Sequence, residues 1–260
     1  MHVFDVLHDS IKALSKNPKL VIPQLISTFF YTIILLALLK ITVTLKQGVD
    51  PMQAGEIIKK SLIILAALFI TYLVDVYTYA MYPSLSQDYK KGREISLINA
   101  VKDVYSQNKT ILAFSLILFV FLISASLTYS LLYLVLMMLQ NTLFYYILIA
   151  ATIAVLIAAS ILFFFIIPVA MIEQKGLSHS ISTGIRLGIR HRKDLAKINL
   201  MFLALILTSM ILIYRFEFQG TLATLALTAF IATRVLQAIV YAYICTANPL
   251  YYLHVSPSDN

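Results

Sequence analysis

The chain has 260 residues, of which 60% are apolar and only 12% are charged. A soluble domain carries about 25% charged residues, so this chain has too few charges to cover a water-exposed surface. Its net charge of +8 does not indicate nucleic acid, because the basic residues lie between apolar segments, where they act as topology signals. The composition therefore argues against a soluble enzyme and indicates an integral membrane protein.

Runs of apolar residues predict about six membrane-spanning helices. The first two cover about 20–45 and 61–82, and the second ends at a proline. The stretch 110–172 has no charged residue. One helix of that length would measure about 95 Å, whereas the hydrocarbon core of a bilayer is about 30 Å thick. The stretch must therefore hold two spans, with a turn at 140–142. Because each span is then near 30 residues, we expect tilt, a kink near Pro168 or extension beyond the lipid.

The fifth predicted span lies between Lys197 and Arg215. The sixth runs from about Thr221 to Ala247, and Arg234 interrupts it. Fourteen basic residues lie in the N-terminal segment and in the loops after the second and fourth spans, against four on the opposite side. Because cytoplasmic segments carry the excess of lysine and arginine, we expect a multi-pass protein of the cell membrane with both termini in the cytoplasm.

The three predicted cytoplasmic segments share one order of residue types. Each has apolar residues at helical spacing, then a polar and basic cluster, then a span, and the hairpin that follows ends near a proline. This order predicts an all-α polytopic membrane bundle, residues 1–260, of three helix hairpins, each preceded by a cytoplasmic amphipathic interfacial helix. The alternative is that any cytoplasmic loop feeding a membrane helix is basic and amphipathic without a repeat. The predicted units are 1–85, 86–173 and 174–253, with a tail at 254–260.

The interfacial helices are predicted to lie in the headgroup plane, with their apolar faces in lipid and their basic side chains towards phosphate. In the first helix, the apolar face includes Val6, Leu7 and Ile11. Membrane lipids with anionic headgroups are therefore the predicted partners. The predicted headgroup contacts are Lys12, Lys16, Lys19, Lys102, Lys109, Arg186, Arg190, Arg192 and Lys193.

Three short segments carry a resemblance to a known family: LSKNPKL at 14–20, IEQKGLSHS at 172–180 and ANPLYYL at 247–253. With the order of spans, they resemble the membrane domain that is fused to some glycerophosphodiester phosphodiesterases and its stand-alone prokaryotic relatives. The resemblance implies six spans and no catalytic residues, because the hydrolase activity of those fusions belongs to a separate soluble domain. The stand-alone relatives are largely without an assigned activity.

One acidic residue, Asp75, lies in the middle of the second span. An ionised carboxylate is costly at that depth, so it should face protein or water and have a partner. Arg234 lies at a matching depth in the sixth span and is the predicted partner. The pair either fixes the register of the helices or forms a gate, a proton-coupled site or an anion site. Tyr72 and Tyr79 lie three residues before and four after Asp75, on its face, and could bind the carboxylate or line a polar cavity.

Three functions compete on this evidence. The first is a non-enzymatic protein of membrane or lipid organisation, or an accessory subunit that works with a partner subunit or a second copy. The second is a transporter or channel with a polar site around Asp75 and Arg234, for example the permease subunit of an exporter. The third, an intramembrane enzyme, ranks last because the spans hold one acid. His179 and His191 do not have zinc spacing, and no cofactor is predicted. Convergence of the polar side chains on one cavity would favour transport.

Overall fold

The computed structural model describes residues 3–46, 54–139, 142–218 and 223–256, and all its regular elements there are helices. A short 3₁₀ helix, Pro18–Val21, joins the first two α-helices. The α-helices are α1 (Val3–Lys16), α2 (Ile22–Lys46), α3 (Ala54–Lys90), α4 (Leu97–Ser106), α5 (Asn108–Leu139), α6 (Thr142–Phe163), α7 (Ile166–Ile172), α8 (Leu177–Arg190), α9 (Arg192–Phe218) and α10 (Ala223–Val255).

Five helical segments in the described part of the chain are long and apolar enough to cross a membrane. The predicted fifth span falls on α9, which is not one of the five. A membrane protein with a helical bundle is therefore shown, and six spans stay a prediction. The five segments are Pro18–Ala37, Leu62–Lys90, Asn108–Leu134, Leu143–Ile172 and Phe230–Val255.

Two spans extend further than the sequence predicts. The helix of the second span continues through Pro83 to Lys90, and that of the sixth continues through Pro249 to Val255. A proline inside a helix removes one hydrogen bond and usually ends or kinks it. The kink predicted near Pro168 is present, because α6 and α7 are separated at 164–165. Residues 140 and 141 of the predicted turn lie outside the described residues, and Thr142 is the first residue of α6.

The short helices α1, α4 and α8 lie where amphipathic helices are predicted. Each packs on helices of the bundle: α4 on α3, α8 on α6 and α7, and α1 on α10. The apolar face of α1 therefore differs from the prediction. Val6 and Leu7 are buried against protein, whereas Ile11 is exposed. Burial on α10 removes these apolar side chains from water as lipid would.

The second helices of the three predicted hairpins form the inner layer of the bundle, because α3, α7 and α10 all contact one another. Their prolines, Pro83, Pro168 and Pro249, lie near this contact, and we call this end of the bundle the proline end. Most of the large fully buried side chains lie there, among them Tyr82 and Tyr252. The order of one short and two long helices matches the predicted units, and the repeat itself stays a prediction.

Close backbone contact fixes α8 against α6 and α7. A Cβ atom at Gly188 would lie 2.4 Å from the carbonyl oxygen of Ile161, and one at Gly184 would lie 3.0 Å from the backbone of Ile166. Only glycine permits such an approach, because a methyl group would collide with the backbone rather than with a movable side chain.

Gly188→Ala is therefore expected to destabilise the protein by about 1–3 kcal/mol, the usual effect of overpacking. Cys245 is the only cysteine and is 6% exposed, so a fluorogenic maleimide reports thermal unfolding in detergent. The matched control is Gly55→Ala, where no atom lies within 4 Å of the added Cβ, and where the better helix former should leave stability unchanged or higher. Equal midpoints for both variants would contradict the close contact.

Candidate functional site

A polar cavity of about 390 Å³ lies between α2, α3 and α10, and we call it the polar cavity. Each helix contributes polar residues at the spacing of one helical face. Its polar lining residues are Gln24, Ser27, Thr28, Tyr31 and Thr32 from α2, Asp75 and Tyr79 from α3, and Arg234, Gln237 and Tyr241 from α10. Three separate helices therefore aim their polar faces into one volume, surrounded by apolar helix surfaces.

The two charged residues of the polar cavity have different partners. The hydroxyl of Ser27 donates a hydrogen bond of 2.5 Å to the Asp75 carboxylate. The Arg234 guanidinium donates to Gln237 at 2.9 Å and lies 4.9 Å from the centre of the Phe230 ring. A direct Asp75–Arg234 contact is not among the ion pairs within 4.0 Å that the described residues form. The two charges thus share a cavity, and other groups stabilise each of them.

The two tyrosines predicted to lie beside Asp75 have different surroundings in the structure. Tyr79 lines the polar cavity, whereas Tyr72 is not among its lining residues. The Tyr72 hydroxyl instead donates to the backbone carbonyl of Ser115 on α5 at 2.8 Å, and its ring packs 5.4 Å from that of Phe119. Helical spacing places both tyrosines on the side of Asp75, but the contact between α3 and α5 decides that Tyr72 joins two helices.

Asn248 connects the three inner helices at the proline end. Its side-chain amide donates to the carbonyl of Phe164 at 2.9 Å and to the hydroxyl of Tyr79. Phe164 lies four residues before Pro168, which has no N–H to offer its carbonyl. Asn248 supplies the missing donor from another helix. The Asn248 side chain therefore supplies a hydrogen bond to the carbonyl at the break in the fourth span. It also binds Tyr79, which borders the polar cavity.

Tyr79 and Asn248 also line a second cavity, of about 460 Å³, that is mostly apolar. Residues of α5, α6 and α9 form its other walls. Its further polar groups are Ser160 and Asn199, and the Ser160 hydroxyl donates to the Asn199 side chain at 2.9 Å. The Tyr79–Asn248 contact thus lies between a polar and an apolar cavity.

All nine predicted headgroup contacts have exposed side chains. Arg186 and Arg190 line a large cavity at the proline end, and Lys19 pairs with Glu94 at 3.1 Å. Exposure is compatible with lipid contact but does not test it, so that contact stays a prediction.

Sequence reasoning missed most of the polar cavity, including Ser27, Tyr31 and Tyr241. A signal for them exists, because the polar residues of the first span recur at helical spacing from Gln24 to Tyr31. Gln24 also joins two helices, because its amide donates to the Cys245 sulfur at 3.3 Å.

The chemistry available in the polar cavity is hydrogen bonding and charge. In the part of the chain that the structure describes, no group of three or more His, Cys, Asp or Glu side chains is placed to hold a metal ion. The lining offers hydroxyls, amides, one carboxylate and one guanidinium, which can bind a small polar molecule in several orientations.

No family model, curated protein or solved structure matches this chain. The resemblance to the glycerophosphodiester phosphodiesterase membrane domain therefore rests on the three sequence segments and stays a prediction. The structure gives two of those segments a physical role, because the Leu20 carbonyl accepts a hydrogen bond from Tyr82 and Asn248 joins the inner helices.

Asn248→Leu is expected to lower the free energy of unfolding by about 1–3 kcal/mol, because it leaves the Phe164 carbonyl without a donor in a water-poor site. The measurement is an SDS titration followed by circular dichroism. Asn199→Leu is the control. The Asn199 side chain accepts a hydrogen bond of 2.9 Å from the Ser160 hydroxyl at the edge of the apolar cavity, and its loss should cost less. A smaller loss in Asn248→Leu than in Asn199→Leu would contradict the proposed junction.

Proposed function

We propose that this chain is a non-enzymatic membrane protein that binds a small polar molecule in the polar cavity and carries it through the membrane. The observation that carries the proposal is the convergence of polar side chains from α2, α3 and α10 on one volume. Ionisable residues within spans are costly and typically mark substrate or ion pathways. Convergence favours transport over a purely organisational or accessory role, in which the polar side chains would be dispersed among packed helices.

The size and charge of the polar cavity favour a particular class of ligand. Its volume of about 390 Å³ is at the lower end of small-molecule sites, which measure about 300–1,000 Å³. Because Asp75 and Arg234 both line the polar cavity, a ligand there meets charges of both signs. A zwitterionic or neutral polar molecule would match this lining better than an ion of one sign.

Transport requires that the chain cross the membrane completely, and contacts at the proline end support six crossings. Lys90, at the end of α3, donates to the Leu253 carbonyl near the end of α10. Tyr252 of α10 donates to Glu173 after α7, and Glu173 contacts His179 of α8. These contacts place α8 near the end of α10, which supports a crossing of the bundle by α9 before α10 begins.

The same contacts support a topology in which both termini lie on one side of the membrane. Because α1 packs against α10, the N-terminal helix lies beside the last span. The three basic segments gather at this end, and the positive-inside rule assigns it to the cytoplasm. The proposal is a multi-pass protein of the cell membrane with cytoplasmic termini and three helix hairpins.

The proposal is tested by native mass spectrometry of the purified protein, comparing wild type with Asp75→Asn and Arg234→Gln. Wild type is expected to retain one small molecule per chain, and each variant should lose at least about tenfold in occupancy, as expected for a lost charge-assisted hydrogen bond. Tyr72→Phe is the matched control, because it removes a hydroxyl near Asp75 that does not line the polar cavity. A wild-type protein without any retained molecule, or undiminished occupancy in Asp75→Asn, would overturn the proposal.

A further inference from the structure

A second, strongly basic cavity lies at the proline end, between α8 and the ends of α3 and α10. Its volume is about 960 Å³, and we call it the basic cavity. Glu173 supplies the one carboxylate among the described residues that line it. Its basic lining residues are Lys90, Lys91, Lys175, Arg186 and Arg190.

One face of α8 supplies the wall of the basic cavity. His179, Thr183, Arg186 and Arg190 all line it, and their spacing of four, three and four residues places them in one row along the helix. The glycines of α8 pack against α6 and α7, which fixes the direction of this row towards the ends of α3 and α10. The two arginines are therefore held next to each other, one helical turn apart.

The carboxylate in the basic cavity already has partners. Glu173 accepts a hydrogen bond of 2.7 Å from Tyr252, lies 2.7 Å from the His179 ring and lies 3.6 Å from the Lys175 ammonium. Partial burial raises the pKa of Glu173, but the hydrogen bonds from Tyr252 and His179 and the charge of Lys175 outweigh it and hold the pKa below its ordinary value. Glu173 is therefore ionised at neutral pH and offsets the charge of Lys175.

Among the described residues, the remaining positive charge of the basic cavity has no counter-ion. Lys90 donates to the carbonyl of Leu253, which matches the preference for a cation at the end of a helix. For Lys91, Arg186 and Arg190, the described residues provide no carboxylate within 4.0 Å. Like charges held together in one concave site repel one another and concentrate anions from solution.

We propose that the basic cavity binds a phosphate group, with Arg186 and Arg190 as its main contacts. Two guanidinium groups one turn apart can each present paired N–H donors to phosphate oxygens, a geometry that lysine does not offer. A phosphate carries up to two negative charges, which suits a site with several basic residues and one compensated acid. The volume exceeds that of phosphate alone, so the ligand carries a further group. The proposal is independent of the polar cavity and of its ligand.

Two sources can supply this phosphate, a lipid headgroup or a soluble phosphorylated molecule. The first probe is inorganic phosphate, added to the protein in neutral detergent against sodium chloride of equal ionic strength, with thermal unfolding read from maleimide labelling of Cys245. The second probe is reconstitution into bilayers of phosphatidylcholine with or without phosphatidic acid, followed by native mass spectrometry of the retained lipid.

The test variant is Arg186→Gln with Arg190→Gln, and the control is Arg93→Gln with Lys197→Gln, two residues outside the predicted headgroup contacts. Both lose two exposed basic side chains, but those of the control do not line the basic cavity. We expect at least one probe to bind wild type and the control alike, and to bind the test variant about tenfold or more weakly.

A response to inorganic phosphate alone would assign the site to a soluble ligand, and retention of phosphatidic acid alone would assign it to a headgroup. The proposal is overturned if neither probe binds wild type, or if the two double variants respond equally. The unliganded melting temperature of the test variant serves as the check on folding. Because none of the substituted residues lines the polar cavity, failure of this test would leave the proposed transport function untouched.

Discussion

The structure depends on how the backbone carbonyl groups near three inner prolines find hydrogen-bond donors where their helices meet. In hydrocarbon, a carbonyl without a hydrogen bond costs several kcal/mol, and each inner proline removes the donor for the carbonyl four residues before it. The amide of Asn248 meets this requirement for Phe164 while also binding Tyr79. One side chain of α10 thus ties α10 to both other inner helices.

This junction explains why packing is concentrated at one end of the bundle. The largest fully buried side chains, among them Tyr82, Tyr252 and Phe165, lie close to the inner prolines. Further along α5 and α6, apolar side chains such as Leu131 and Leu143 are exposed by 64% and 66%. Lipid can solvate those surfaces, so they need no protein neighbour. The proline end is therefore where the described side chains are most deeply buried, and both proposed sites border it.

Much of the architecture could be predicted from the sequence, because apolar length and charge placement follow directly from the bilayer. The three short amphipathic helices, most of the long helices and the break near Pro168 all follow from such local rules. The ends of the spans could not be predicted, because Pro83 and Pro249 are tolerated within helices that tertiary contacts hold in place. The local rule treats a proline as a stop, and only the packed neighbours show that the helix continues.

Mainly the charged residues of the candidate site, which are the most costly to place in a membrane, could be predicted from the sequence. Asp75 and Arg234 stand out because a charge within a span demands an explanation, and both line the polar cavity. Ser27 and Tyr241 do not stand out, because hydroxyl side chains are ordinary in spans and commonly bond their own helix or a neighbour. Helical spacing can also suggest a site residue wrongly. It put Tyr72 on the side of Asp75, but the Tyr72 hydroxyl donates a hydrogen bond to the carbonyl of Ser115.

The separate partners of the two intramembrane charges bear directly on function. A direct pair between Asp75 and Arg234 would satisfy both groups and fill the space between their helices, which is what a purely structural bridge requires. Ser27 instead donates to the carboxylate, and Gln237 accepts from the guanidinium. Each charge thus has a neutral partner within the bundle, and the volume that the cavity residues enclose remains between them. A lining with both signs of charge and many neutral donors and acceptors is a costly arrangement in a membrane, and binding of a polar molecule gives it a physical purpose.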